Sequence, residues 1–442
     1  MQSFVRAGLA TAILLSTGTA LLAQAAAPAP IDTALARGYF DEAAEVARLD
    51  GGKLWGIPFD GTLIFGDQAT RTVVAARGDT GGVLRQAGSV WIGTMPSNQN
   101  VANTAAEWGG VRWTTVRWPP PAGDDPEARA LRAELFAHEL WHGIQARLGL
   151  PMDDAPNAHL DEREGRIWLR LEARALRYAL EADGEERRTA LHDALRFRAE
   201  RHARFHDAAE AERKLERHEG MAGYTGLRLS GRDGTSMRAR ARALLDEVDG
   251  GVHLARSFAY GTGPAYGLLL DDLAPGWRDR VIAGAGPAEL LRESLPRDER
   301  TADAVARGAR YGHEPIALAE LLRERERDAR RAELTARLVD GAVVRLPFEQ
   351  MQMQLDPQNV EPLGAAGTVY RAIRISDRWG VLEAKEGAVL LAPDFSHAAV
   401  ARPARLEAGT SGVVRGDGWT LTLAEGYRLR EGQRTGDLNV GR

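Results

Sequence analysis

Residues 137–145, AHELWHGIQ, bring His138, Glu139 and His142 into one short segment. If the segment is helical, the two histidines stand one turn apart and project the same way. Imidazoles so placed can bind one Zn²⁺ from a single side. Glu139 is rotated off that face, toward the position where a water completes the coordination. The chemistry this suits is metal-assisted hydrolysis: the ion activates a water, and Glu139 takes its proton as the oxygen attacks a carbonyl. The plainer alternative is a pair of core histidines beside a surface glutamate.

Such a site needs a third protein ligand, and the chain has no cysteine. That excludes thiolate metal sites, disulfides, thiol nucleophiles and an N-terminal lipid anchor. Glutamate is the natural donor, and two stand out. Glu172 in IWLRLEARAL shares a helical stripe with Trp168, Ala175 and Ala179. It should be buried, and a buried carboxylate needs a metal or an arginine partner. Glu219 in RHEGMAGYTG shares a face with Leu215 and Ala222. Gly220 beside it allows another element to come close; otherwise Glu219 is an ordinary helix-end acid. Both remain open.

The histidines need a well-defined helix. Asp125 followed by Pro126 is a cap with proline at the first helical position. Leu131, Leu135, His138 and His142 step by helical intervals along one face, and Gly149 and Pro151 close the element. A second helix is expected over about 161–180 and a third over about 186–217, broken near His206. Shorter ones are expected at 31–49, 263–273, 287–293 and 315–331. Before the histidine helix, KLWGIPF, GTLIFG, RTVVAAR, SVWIGTM and VRWTTVRW read as strands. The tail reads as strands again, in GAVVRLPF, TVYRAIRI, GVLEAKEGAVLLA and WTLTLAEGYRL. The expected fold class is therefore α+β: an N-terminal β part at 31–120, a helical domain at 121–335 that carries the site, and a C-terminal β-rich domain at 338–442.

The 442 residues, 44% hydrophobic and 27% charged, suit a globular chain of two or three domains. A formal net charge of −5 gives no pull toward nucleic acid. Arginines between Arg187 and Arg213 are interleaved with acids and read as a solvated helix face. Residues 1–25 carry a short apolar run ending in Ala23-Gln24-Ala25, the form of a cleaved signal peptide. An exported protein, periplasmic or secreted from a bacterium and without stable membrane insertion after cleavage, is the expectation.

HELWH, then EGMAGY, then YGTGPAYGLLL resembles the gluzincin metallopeptidases, above all their aminopeptidase-like branch, over roughly 128–271. The resemblance implies a zincin-like domain, one Zn²⁺ per chain and a peptide or protein substrate. It implies His138 and His142 as ligands, Glu139 as general base and Glu219 as third ligand. Tyr260 and Gly263 fall where that family has its transition-state tyrosine and the glycine after it. His218 stands where the family has Asn, Gly223 where it often has Glu, and the G-x-M-E-N segment has no counterpart. The gap from His142 to Glu219 is far longer than the family's, and if spacing outweighs the local motif, Glu172 is the ligand. Zincins run a strand beside the active helix to pair with extended substrate, and VRWTTVRW could be that strand or a purely structural one. Trp141, Tyr224 and Tyr266 are candidate substrate contacts. Hydrolysis of peptide bonds is the expected function. A non-catalytic envelope binding or assembly protein and a zinc hydrolase of non-peptide amides or esters are the alternatives.

Overall fold

The protein is described here from a computed structural model, which covers residues 31–59, 62–96, 99, 101–150, 156–355 and 360–442. Residues 1–25, expected to form a signal peptide, and Pro151 lie outside the described residues. The architecture is an N-terminal sheet, a helical middle and C-terminal sheets. Among the described residues no helix is long and apolar enough to cross a membrane. The chain divides into two compact units, one of residues up to 157 with 172–300, the other of 158–171 with 301–442.

The first unit begins with α1 (Thr33–Asp50), capped by the Asp32 side chain. Six strands follow: β1 (Leu63–Gly66), β2 (Thr72–Ala75), β3 (Arg85–Ala87), β4 (Val90–Thr94), β5 (Thr104–Trp108) and β6 (Val111–Arg117). Their order in the sheet is β3-β4-β2-β1-β6-β5, with β1 and β6 parallel and the other pairs antiparallel. KLWGIPF forms turns instead of a strand, since Gly52 and Gly56 both take positive φ and break the extended path. VRWTTVRW is β6, hydrogen-bonded on both sides, so it has no free edge for a substrate; the edge strand next to it is β5.

α2 (Pro126–Gln145) leaves the sheet with the expected cap: Asp125 Oδ1 accepts from the amides of Glu127 and Ala128, both at 3.0 Å. One face of α2 meets α1 and β1 through an aromatic cluster. Phe65 stacks on Phe40 at 4.6 Å and meets Phe136 at 5.9 Å. Below it come α3 (Arg163–Glu181), α4 (Gly184–Arg204) and α5 (Ala208–Leu215). A π turn over Glu216–Gly220 runs into α6 (Met221–Arg228), and α7 (Gly234–Gly250) and α8 (Leu254–Leu273) follow. α6 and α7 have no counterpart in the sequence reading, and α8 starts nine residues before the expected 263. The Gly and Pro of YGTGPAYG mark a close helix packing there, not a boundary. The stripe of arginines is also corrected. Arg198 and Arg201 are buried among carboxylates, not solvated, because α4 is covered by α3, α5 and α8.

The second unit pairs a seven-stranded and a five-stranded sheet around one apolar core that includes Val344, Leu346, Ile375, Trp379, Leu382, Val400 and Leu421. Its helix His313–Thr335 is fastened by a buried ion pair: Glu320 accepts from Arg166 at 2.7 Å and from Arg170 at 2.9 Å. That bond joins residues of the 158–171 segment to the helix of the same unit. Glu320→Ala would take from buried Arg166 and from Arg170 the carboxylate they share. It is expected to destabilise the protein by about 3–5 kcal/mol, read from urea unfolding.

Candidate metal centre

α2 presents His138 and His142 on the same side as Leu131 and Leu135, and all four line one cavity of about 770 Å³. The stripe that the sequence suggested as an apolar face is thus the floor of a cleft. The π turn brings Glu219 to the same floor. Its Oε2 lies 3.4 Å from His138 Nε2 and 3.6 Å from His142 Nε2, and the two ring nitrogens are 3.3 Å apart. Zinc bonds of about 2.0–2.2 Å to N and O donors give tetrahedral edges of about 3.3–3.6 Å, so the three atoms are spaced as one face of such a site. Among the described residues this is the one group of three His or acidic side chains close enough to hold a metal ion.

The surroundings orient two of the three donors. The ring N–H at His142 Nδ1 donates to the buried Gln145 Oε1 at 3.0 Å, which turns Nε2 toward the other two donor atoms. Arg256 donates to Glu219 Oε1 at 2.6 Å, so one carboxylate oxygen is held and the other faces the histidines. Burial favours a neutral Glu219, but hydrogen bonds from His138 and His142 outweigh it and hold the carboxyl far below its usual range. Burial opposes charge on His142 as well, yet Glu219 and Glu139 keep the ring above its ordinary value. Two imidazole nitrogens and a carboxylate oxygen that converge in this way are a donor set suited to a divalent cation.

Glu139 is buried and lines the same cavity, and desolvation raises its pKa. A raised carboxyl is better matched to moving a proton near neutral pH. The Tyr260 ring stacks on His138 at 5.8 Å with an interplanar angle of 12°, on the cavity wall. Burial and the charge of Glu219 push its hydroxyl pKa up, so it remains a donor.

Four other residues named from sequence lie elsewhere. Glu172 is fully buried and accepts from Arg198, Arg201 and the Tyr266 hydroxyl, so its oxygens are occupied away from the histidines. Tyr266 is spent on that bond. Tyr224 is fully buried, with its hydroxyl on Asp271 at 2.9 Å and its ring against Trp277. Trp141 is fully buried too, packed on Trp55 at 5.8 Å. None of these lines the cavity. His218 is buried with its ring 5.0 Å from that of His142, outside the three-donor group. Sequence reasoning missed Gln145 and Arg256, although Gln145 follows His142 by three residues and Arg256 precedes Tyr260 by one turn. It also missed the α7 wall formed by Arg240, Leu244 and Val248.

The glycines of EGMAGY and YGTGPAYG explain how Glu219 is brought in. A Cβ on Gly263 would collide with the backbone of Gly220, and one on Gly267 with the Tyr224 ring. α8 therefore lies directly against the π turn. Gly263→Ala is expected to push the π turn away and remove most of the bound metal, a loss readable as metal per purified chain.

Compared with known proteins, the chain matches no family model, no curated protein and no solved structure.

Proposed function

We propose that the chain is a zinc-dependent hydrolase of peptide bonds, an exported metallopeptidase. The observation that carries this reading is the triangle of His138, His142 and Glu219 donor atoms, 3.3–3.6 Å on a side, at the floor of a cavity also lined by Glu139 and Tyr260. A zinc ion held there supplies Lewis acidity and brings the pKa of a water toward neutrality. Glu139 accepts the proton of the attacking water and returns it to the leaving amine. Tyr260 donates to the oxygen on which charge develops. Arg256 and Gln145 keep Glu219 and His142 aimed, and the apolar walls at Leu131, Leu135, Leu244 and Val248 keep bulk water from the reacting groups. Export rests on residues 1–25 alone.

The test is metal content of the purified mature chain together with hydrolysis of a mixed peptide library, with and without chelator. One zinc per chain and chelator-sensitive cleavage is the expected result. Bound zinc without turnover of any peptide overturns the peptidase reading and favours a binding module or another amide or ester substrate. Zinc present at a hundred times its dissociation constant is also expected to add about 2.7 kcal/mol to stability, measurable as a fall in thermal midpoint on chelation.

A further inference from the structure

Behind Glu219 lies an ionic cluster that the hydrolytic reading does not use. Arg198, Arg201, Glu172, Glu212 and Glu216 are all buried, drawn from α3, α4, α5 and the π turn. Arg198 grips Glu216 with two bonds, Nη1–Oε1 at 2.8 Å and Nη2–Oε2 at 2.6 Å, and reaches Glu172 at 3.1 Å. Arg201 grips Glu212 at 2.6 and 2.7 Å and Glu172 at 2.6 Å. α8 closes the network: Thr262 donates to Glu216 at 3.2 Å and Tyr266 to Glu172 at 2.6 Å.

A cluster of this kind is a poor source of stability. The cost of burying five ionisable groups offsets their attraction, and apolar side chains of similar size commonly do as well or better. What it can supply is a defined local conformation. Glu216 opens the π turn, in which the Met221 amide bonds to the Glu216 carbonyl, five residues back. Such turns are rare and need support from neighbours. This one sends Glu216 into the cluster and Glu219, three residues on, into the cavity. Both carboxylates are tied to α8, Glu216 by Thr262 and Glu219 by Arg256, with the Gly220–Gly263 backbone contact between them.

We propose that Arg198, through Glu216, is a positioning residue for the metal centre: it holds the π turn in the register that aims the Glu219 carboxylate at His138 and His142. This rests on the metal reading given above. The buried cluster is then a conformational lock on one ligand, not a prop of the fold.

The test compares the full chain with an Arg198→Met, Glu216→Met double variant, which removes one charge of each sign and so keeps the net charge of the cluster. Zinc dissociation constants come from competition with a chromophoric chelator, and the coordination sphere is read from the visible absorption of the Co²⁺-loaded chain. The double variant is expected to fold, to bind zinc about 10–100-fold more weakly and to show an altered Co²⁺ spectrum. Val73→Ala, which loosens the sheet of the same unit, is expected to lower the thermal midpoint while leaving both readouts unchanged. Should the double variant fail to fold, Thr262→Val takes its place, with about tenfold weaker zinc binding expected. Tight wild-type binding that survives unchanged in the folded variant overturns the positioning role alone. A wild-type chain that takes up neither ion overturns the metal reading and this proposal together.

Discussion

Glu139→Gln is expected to retain one zinc per chain and to lose hydrolysis by about 10²–10⁴-fold, the usual contribution of a positioned general base. The substitution keeps the shape and hydrogen-bonding reach of the side chain and removes only its capacity to take a proton. Glu139 stands beside the donor triangle without belonging to it, so metal content should not change. The check is metal analysis and peptide turnover on one preparation. Retained turnover with full zinc would remove Glu139 from the chemistry. Loss of zinc would mean that it serves the metal instead.

The second large effect separates two acids that the sequence left as rivals. Glu219→Ala is expected to leave a folded chain with little or no zinc after dialysis, since only two nitrogen donors remain. Glu172→Ala should do the reverse. It strips a carboxylate from Arg198 and Arg201, both buried, and is expected to cost about 3–5 kcal/mol of stability. At saturating zinc it should still hold one ion, because Glu172 faces away from the histidines. Paired metal analysis and denaturant unfolding of the two variants decide this. The opposite pattern, full zinc in Glu219→Ala and none in Glu172→Ala, would refute the assignment of Glu219.

Much of the candidate centre was legible in one dimension. His138, Glu139 and His142 are local in sequence, and the Asp125–Pro126 cap fixes the phase of their helix, so local spacing alone sets which way they point. The same holds for the strand–helix–strand order of the chain, which follows from runs of β-branched residues on either side of a long helical pattern. The inner place of VRWTTVRW in its sheet was not legible, because strand order depends on which neighbours pair and not on the strand itself. The π turn was not legible either: it is an exception to helical periodicity, and its Glu216 meets a buried arginine while its Gly220 meets the backbone of α8.

The sequence by itself thus determined two histidines and a glutamate on one helix, in a chain without cysteine, and offered two acids that could join them. Only the tertiary structure shows which of those acids lies beside the histidines. Glu172 and Glu219 are alike in chemistry and both buried, and what separates them is which cation each meets once the helices pack. α4 delivers two guanidinium groups to Glu172, while α8 presses Gly263 onto Gly220 and turns Glu219 toward the imidazoles. Partners that lie 26 to 81 residues apart in the chain carry no local signal, because the contact exists only after α2, α4, α8 and the π turn have found one another.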